Sequence, residues 1–196
     1  AMKRILYILL CAMLTLWGNI SAGDDGGTTS PFTFGAGARD LAMGGSAGPW
    51  CDDATAPSWN PSRLAGTQRL TLSGFYSQLF ESDASYQYVG LAIPTLDVGT
   101  FGLGIFRLGV DDIERRDADN LLLYSFDDSR LAVYLSYGNS ISGFDVGASL
   151  SLERHSLDTY SSTSSPGLTL SIGRSFAIHH SVVSKLALAI NGRNII

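Results

Sequence analysis

The feature that most constrains this chain is an alternation of apolar and small polar residues that begins near residue 68 and continues to its end. In the first run, Leu70 and Leu72 share one parity, whereas Thr71 and Ser73 share the other. A period of two is typical of a β-strand whose two faces meet different surroundings. The alternation therefore predicts an all-β fold.

Seven such runs follow one another along the chain, and each one predicts a strand. They lie at residues 70–77, 86–93, 100–110, 131–138, 146–153, 168–173 and 186–190. One face of each run carries Leu, Ile, Val or Phe, and the other carries mostly Ser, Thr, Gly or Ala. Charged residues make up 16% of the chain, against ~25% in a typical soluble domain. We expect an antiparallel transmembrane β-barrel with small residues lining its lumen. A soluble secreted β-sandwich, with one face closed into a core, is the less favoured alternative.

The N-terminus predicts export. Lys3 and Arg4 precede an apolar run at residues 5–17, and small residues follow up to Ala22, which together are typical of a cleavable signal peptide over residues 1–22. Loss of these two cations changes the formal net charge from -5 to -7. An acidic mature chain argues against nucleic acid as a partner.

The next segment has no sustained period. Residues 23–30 predict an extended linker, rich in Gly, Asp and Thr. Residues 31–66 are dense in Gly and Pro yet hold Trp50 and Trp59, with short helical turns expected at residues 38–43 and 58–64. A segment this rich in aromatic and apolar residues is expected to pack against something, and inside a barrel it would form a plug.

The strand count sets the size of the expected barrel. Seven strands fall below the minimum of ~8 for a closed bacterial barrel, and an eight-stranded barrel is filled by its own side chains. A barrel that holds residues 31–66 needs more strands than residues 67–196 supply. We therefore expect residues 67–196 to be the N-terminal half of a longer barrel; the less favoured alternative is that several copies share one barrel.

The connections predict the orientation of the strands in an outer membrane. Residues 95–99 and 140–143 are short turns, as on a periplasmic side, whereas residues 111–129 and 155–165 are long connections, as on an external side. The longest connection contains Leu121, Leu122, Leu123 and Tyr124, an apolar run expected to bind a protein partner. Aromatic residues near the strand ends fit interfacial girdles as well as the general strand preference of aromatics. They are Tyr76, Phe80, Tyr86, Tyr88, Phe106, Tyr124, Phe126 and Tyr137.

Four spaced motifs carry a family resemblance. They are Gly37-Ala38-Arg39, Met43-Gly44-Gly45, Asp52-Asp53-Ala54 and Trp59-Asn60-Pro61-Ser62-Arg63-Leu64. In this order, after a signal peptide, they resemble the opening of the PorV/PorQ group of FadL-like outer-membrane proteins. Ser62-Arg63 replaces the usual Ala-Gly of that group, and Gly48-Pro49-Trp50-Cys51 replaces a blander apolar run. The resemblance runs from about Phe34 to the end of the chain.

The resemblance implies a FadL-like barrel of about fourteen strands with an N-terminal hatch. Members of this group either serve type IX secretion or move hydrophobic compounds across the outer membrane. The implied partners are outer-membrane lipid and, depending on the role, a secreted cargo protein, subunits of the secretion system or a hydrophobic small molecule. We favour the secretion role and keep transport as the alternative.

The motif residues themselves predict structural plug roles more than gating roles. Gly44 and Gly45 permit backbone conformations closed to other residues. Asn60-Pro61 favours a turn whose Asn side chain bonds the backbone beyond it. Asp52 and Asp53 are candidates to cap the next helical turn, and Arg39 is a candidate to pair with one of them. Met43, Trp59 and Pro61 complete the set of motif positions.

Chemistry of other kinds is weakly represented. The chain contains no nucleophile motif, phosphate loop or zinc signature, so we expect neither an enzyme nor a cofactor. His179 and His180 are expected in a solvated turn and not at a metal. The acidic residues between Asp111 and Asp119 do not have EF-hand spacing, which favours a solvated loop. Cys51, left alone once the signal peptide is removed, is expected to be a small buried residue.

Overall fold

A computed structural model describes residues 30–79, 84–95, 97–163, 166–177 and 185–193. The predicted signal peptide, all of the linker except Ser30, and the residues Phe80, His179 and His180 lie outside the described residues. The architecture reported below belongs to the compact unit Phe32–Ile196. No helix among the described residues has the length and apolar character needed to span a membrane.

Short helical turns are followed by long strands. The helical elements are a 3₁₀ turn at Pro31–Phe34, α1 at Ala38–Ala42, α2 at Ala56–Trp59 and a 3₁₀ helix at Pro61–Gly66. The strands are β1 (Thr71–Gln78), β2 (Ala84–Thr95), β3 (Gly99–Arg116), β4 (Leu122–Ile141), β5 (Phe144–Leu157), β6 (Tyr160–Thr163), β7 (Gly167–Ala177) and β8 (Lys185–Gly192). The predicted all-β class is confirmed, and each of the seven predicted runs lies wholly or largely within a strand.

All strands belong to one antiparallel sheet. The order is β1-β2-β3-β4-β5-β7-β8, with the short β6 paired to β5 beside this path. The seven strands of the path curl into a half-barrel. Consecutive strands of this path are antiparallel neighbours, so the connections between β2 and β3 and between β4 and β5 lie at one end of the sheet. The β3–β4 and β5–β6 connections lie at the other end.

The strands at that second end are longer than the sequence predicts. Residues 111–129 were expected to form a loop, but β3 and β4 continue as a ribbon and turn only at residues 117–121. The register shifts between Val110 and Ile113, where Asp112 has a φ of 57° and its N–H donates to Asp127 Oδ1 at 3.0 Å. Residues 155–165 likewise contain the end of β5 and all of β6. The sequence does not indicate these strands, because a two-stranded ribbon with water on both faces needs no alternation of apolar and polar residues.

The two faces of the sheet differ in burial. The outward face, as we call the side away from residues 32–66, carries large apolar side chains that are roughly 40–75% exposed. Examples from successive strands are Leu72, Val89, Phe101, Leu135, Leu150, Leu170 and Leu188. Their pairing partners across the strands are also outward-facing, as in the row Leu91, Leu103, Leu135 and Leu150. The result is a continuous apolar surface.

The inward face carries smaller residues and is covered by the N-terminal segment, which we define as residues 32–66. Rows such as Ala92, Gly102, Ser136 and Ser149 pair across the strands on this side. Ser136 and Ser149 are buried, and their hydroxyl oxygens lie 2.7 Å apart. The 3₁₀ helix Pro61–Gly66 packs on β3, β4, β5 and β7. The core of the protein therefore lies between the segment and the inward face.

Candidate functional site between the N-terminal segment and the sheet

Glycines on the inward face let the segment approach the sheet backbone. A Cβ atom added at Gly147 would lie 2.3 Å from the carbonyl carbon of Pro61 and 2.3 Å from the nitrogen of Ser62. One added at Gly138 would lie 2.6 Å from the Pro61 carbonyl oxygen. Gly90 and Gly102 face the segment at similarly short distances. Because only glycine fits at these positions, the small residues of the inward face allow the segment to lie directly against the sheet.

Asn60 organises the turn between the two last helices of the segment. Its Oδ1 accepts from the backbone N–H of Ser62 at 3.1 Å and from the Ser62 hydroxyl at 2.8 Å, and its Nδ2 donates to the Gly48 carbonyl at 2.9 Å. Pro61 begins the 3₁₀ helix, where its lack of an N–H costs nothing. The N–H of Ser62 also donates to Ser171 Oγ on β7 at 2.8 Å. The turn predicted for Asn60-Pro61 is confirmed, and it is tied to the sheet.

An ion pair links the segment to β5. Arg63 Nη1 donates to Asp145 Oδ2 at 2.7 Å, and the two side chains are only 5% and 17% exposed. Arg63 Nη1 also lies 3.4 Å from Ser175 Oγ on β7. The pairing considered for Arg39 with Asp52 or Asp53 is absent from the ion pairs of the described residues, and Arg39 is exposed. Arg63 provides the buried cation instead.

Two carboxylates share one hydroxyl within the segment. Thr55 Oγ1 lies 2.7 Å from Asp40 Oδ2 and 2.6 Å from Asp53 Oδ1. A hydroxyl has one proton to donate, so both contacts are hydrogen bonds only when one carboxyl is protonated. Asp40 is 3% exposed, and its burial raises its pKa above the ordinary value, opposed by the hydrogen bond from Thr55. Protonation of Asp40 would make both contacts hydrogen bonds.

The predicted capping role is wrong, because the N-cap residue of α2 is Thr55 and the helix has no side-chain capping hydrogen bond. Asp53 instead organises the turn before the helix. Its Oδ1 accepts from the backbone N–H of Thr55 at 2.7 Å, and its carbonyl accepts from Ala56 at the start of α2. Asp52 is exposed, and its carbonyl oxygen lies 3.4 Å from the Thr67 hydroxyl. One acidic residue of the pair thus organises the turn before α2, as an Asx-type turn does.

Aromatic side chains satisfy carbonyl groups of the segment. Trp59 Nε1 donates to the Ala36 carbonyl at 2.7 Å, and the Tyr88 hydroxyl of β2 donates to the Ala54 carbonyl at 2.6 Å. The Tyr86 hydroxyl donates to the Gly35 carbonyl at 3.0 Å. Irregular backbone buried without such donors would be costly. These three bonds let a segment with little regular structure lie buried.

The aromatic-girdle expectation is wrong for three of its residues. Tyr86, Tyr88 and Phe106 are buried on the inward face, where they form a cluster with Phe32 of the segment. The Phe106 ring lies 4.5 Å from the Tyr88 ring and 5.3 Å from the Phe32 ring, centroid to centroid. Their period places them among small residues, so they fill space beneath the segment and do not face lipid.

The Met-Gly-Gly motif lies at the exposed side of the segment. Met43, Gly44 and Gly45 follow α1, and the two glycines have φ values of 67° and 72°. Such values favour glycine, as predicted. Close packing applies only to Gly45, where an added Cβ would lie 3.7 Å from the Trp59 ring; nothing lies within 4 Å of one at Gly44. The two glycines of the motif therefore allow the backbone conformation that follows α1, and they contribute little to the contact with the sheet.

Cys51 is buried within the segment, as expected. It is 1% exposed, and this burial raises the pKa of its thiol to about 12. A neutral, buried thiol is a packing residue and not a reactive one. Within the described ranges, no three His, Cys, Asp or Glu side chains gather in a group able to hold a metal ion.

One cavity lies where the segment meets β8. It has a volume of about 380 Å³ and is lined in part by Trp59, Asn60, Asn191 and Arg193. Asn191 Nδ2 and Arg193 Nη2 donate to the Trp59 carbonyl at 2.8 and 3.0 Å, while Asn191 Oδ1 is buried without a hydrogen-bond partner in the described part of the chain. The lining is mixed in polarity, unlike the continuous apolar pocket that transport of a hydrophobic compound requires.

The predicted partner-binding run lies at the end of the β3–β4 ribbon. Leu121, Leu122, Leu123 and Tyr124 are 41–65% exposed. The turn before them is ordered by Asp117, whose Oδ1 accepts from the backbone N–H groups of Asp119 and Leu121 at 2.9 Å each. The structure thus presents this run at the tip of the β3–β4 ribbon, with Leu121 in the turn and Leu122 to Tyr124 on β4.

Comparison with known proteins gives no match: no family model, no curated protein and no solved structure is similar to this chain. Function is therefore inferred from the two faces of the sheet and from the contacts of the N-terminal segment.

Proposed function

We propose that this chain forms one wall of an outer-membrane β-barrel of the PorV/PorQ type, with the N-terminal segment as the plug of its lumen. The observation that carries the proposal is the distribution of polarity. Large apolar side chains cover the outward face, whereas small and polar side chains, an ion pair and the segment occupy the inward face. A water-soluble protein buries its apolar face, and a membrane barrel presents it to lipid.

The height of the apolar surface agrees with a bilayer. Along β5, outward positions are apolar from Phe144 to Leu152, and the next outward residue is Arg154. Phe144 and Leu152 are eight residue steps of ~3.3 Å apart, ~26 Å along the strand and ~20 Å after a tilt of ~40°, so the apolar positions extend over most of the apolar height of a barrel. The apolar band of outer-membrane barrels is ~25 Å tall.

The free energy of burying this surface is large. Each large apolar side chain on the outward face is about half exposed, so covering it with lipid contributes ~1 kcal/mol per residue. Thirteen of these outward-facing side chains would together contribute on the order of 10 kcal/mol. They are Leu72, Val89, Ile93, Phe101, Ile105, Leu135, Leu150, Leu152, Leu170, Ile172, Leu186, Leu188 and Ile190. A second sheet would serve equally well in a sandwich, but no such sheet is formed by the described residues.

The two outer strands support the barrel-wall proposal. Among the described residues, β1 pairs only with β2 and β8 only with β7, so each leaves one edge unpaired. Unpaired backbone groups in a bilayer cost several kcal/mol each. Further strands, of the same polypeptide or of another copy, are needed to close the barrel around the plug.

We favour a role in type IX secretion over transport of hydrophobic molecules. The support is twofold: the segment lies against the sheet backbone at Gly138 and Gly147, and the cavity beside β8 is not apolar throughout. The exposed run Leu121–Tyr124, on a ribbon at the end of the sheet with the longer connections, is suited to a protein partner. Transport by a FadL-like mechanism is the alternative function.

The two roles are separated by one experiment on cells that produce the full protein. Leu121, Leu122 and Leu123 are replaced together by Ser, and Leu135, Leu150 and Leu152 of the outward face are replaced by Ser in a control. The secretion role predicts that cargo proteins disappear from the medium in the first variant while uptake of a labelled fatty acid is unchanged. Reduced fatty-acid uptake with normal secretion would favour transport instead. The control tests the wall, so it is expected to lower the amount of folded protein.

A further inference from the structure

An arginine on the outward face lies between two aromatic rings. Arg174 of β7 has its guanidinium carbon 4.7 Å from the ring centroid of Phe144 and 5.0 Å from that of Phe176. Phe176 is two residues along the same strand, and Phe144 is at the start of the neighbouring strand β5. Flanking rings hold a planar guanidinium in one place and leave its N–H donors directed outward.

The side chain points away from the segment. Along β7, the outward positions Leu170 and Ile172 are 47% and 43% exposed, and Arg174 is the next position of the same parity. The intervening residues Ser171 and Gly173 are buried under the segment. Arg174 therefore follows an apolar run on the surface that we assign to lipid, and one further outward position of β7, Phe176, lies beyond it.

The charge of Arg174 is not paired within the part of the chain that the structure describes. Arg174 has no ion pair with any described residue, whereas Arg63, Arg107 and Arg116 each have one. The nearest acid in the register, Asp145, pairs across the strands with Gly173, faces inward and is occupied by Arg63. The chain between residues 177 and 185 has no acidic residue. The described residues therefore leave this charge open to an anion from outside the protein.

From these observations we propose that Arg174, with Phe144 and Phe176, forms a binding site for the phosphate group of a membrane phospholipid. The inference rests on the proposed function, because it places the outward face in lipid. At the boundary of an apolar band, aromatic rings occupy the interface and a guanidinium reaches the phosphates. Arginine binds phosphate through two parallel N–H bonds. The site lies at the end of the sheet with the short turns, which is the periplasmic side in the proposed orientation.

The test uses the full chain refolded in dodecyl maltoside micelles, because this detergent carries no phosphate. The protein is titrated with dioleoylphosphatidylglycerol or with dioleoylglycerol, which has the same acyl chains but no phosphate, and bound lipid is counted by native mass spectrometry. Wild type should prefer the phospholipid, and Arg174→Gln should lower that preference about fivefold, the effect of one cation at a lipid surface. Arg174→Lys should keep part of it.

Arg115→Gln is the matched control. Arg115 also lies over an aromatic ring, 5.7 Å from the centroid of Tyr124, but on the ribbon beyond the apolar band. It should leave the preference unchanged. Equal retention of the two lipids by wild type, or an unchanged preference in Arg174→Gln, would overturn the phosphate site and leave the lipid-facing wall intact. Retention of neither lipid would overturn both proposals.

Discussion

Arg63 and Asp145 are 82 positions apart in the sequence, yet their side chains form a 2.7 Å ion pair between the N-terminal segment and β5. The pair lies under the segment, with both side chains largely buried. Burial makes it costly to remove one partner and leave the other charged. The pair therefore fixes where the 3₁₀ helix Pro61–Gly66 sits on the sheet.

Removing one partner should destabilise the protein more than removing both. Asp145→Ala leaves the guanidinium buried without an anion and should lower the free energy of unfolding by ~3 kcal/mol. Arg63→Met combined with Asp145→Ala removes the unpaired charge and should recover most of this loss. Urea unfolding followed by tryptophan fluorescence in micelles measures both. A double variant less stable than Asp145→Ala would show that the charge does not limit stability.

Gly147 should not tolerate a methyl group. Its added Cβ would overlap the Pro61–Ser62 peptide, so Gly147→Ala must displace the 3₁₀ helix and should cost ~2–3 kcal/mol. Gly74→Ala is the matched control, since nothing lies within 4 Å of a Cβ there. The control should unfold at the wild-type urea concentration. Equal loss at both positions would mean that strand propensity, and not contact with the segment, explains the effect.

The Tyr88 hydroxyl should contribute to stability through one carbonyl. Tyr88→Phe leaves the buried Ala54 carbonyl without this donor and should cost ~1–2 kcal/mol in the free energy of unfolding. Tyr76→Phe, at a position 65% exposed, is the control and should change little. If both variants unfold together with wild type, the carbonyl is satisfied by another donor.

Much of the sheet is predictable from the sequence, since period two depends only on which face each residue meets. All seven predicted runs are parts of strands because Leu, Ile and Val alternate locally with small residues. The ribbon at residues 111–129 was not predicted, because both of its faces meet water and its apolar and polar residues therefore do not alternate. The Arg63–Asp145 ion pair was not predicted, because it depends on how the N-terminal segment is positioned on the sheet, and the sequence of this segment has no periodic pattern that would indicate its position. The burial of Tyr88 and Phe106 was also not predicted, because it depends on where Phe32 of the segment packs on the sheet.

Stability should depend on pH through Asp40. Its pKa is raised in the folded protein, mainly by burial, so the folded state holds this proton at pH values where the unfolded chain has lost it. The folded state is therefore favoured at low pH, and this contribution is lost as pH rises from the ordinary value of 3.8 through the raised pKa. Asp40→Asn places an amide N–H where a protonated Asp40 would donate to Thr55 Oγ1, does not titrate, and should remove the dependence.

The measurement is the urea midpoint of the two proteins from mildly acidic to neutral pH. Asp52→Asn, at an exposed position in the same segment, is the control and should keep the wild-type slope. An Asp40→Asn midpoint with the same pH dependence as wild type would contradict a raised pKa of Asp40.

The central claim is that lipid covers the outward face of the sheet, and position-specific quenching tests it most directly. Single cysteines at Leu135, Leu150 and Leu122, in a background with Cys11→Ala and Cys51→Ala, are labelled with a fluorophore after refolding into phosphatidylcholine vesicles. We predict that spin-labelled lipid quenches the labels at Leu135 and Leu150, and that aqueous iodide quenches the label on the ribbon at Leu122. Quenching of all three labels by iodide and of none by spin-labelled lipid would contradict the membrane-wall account.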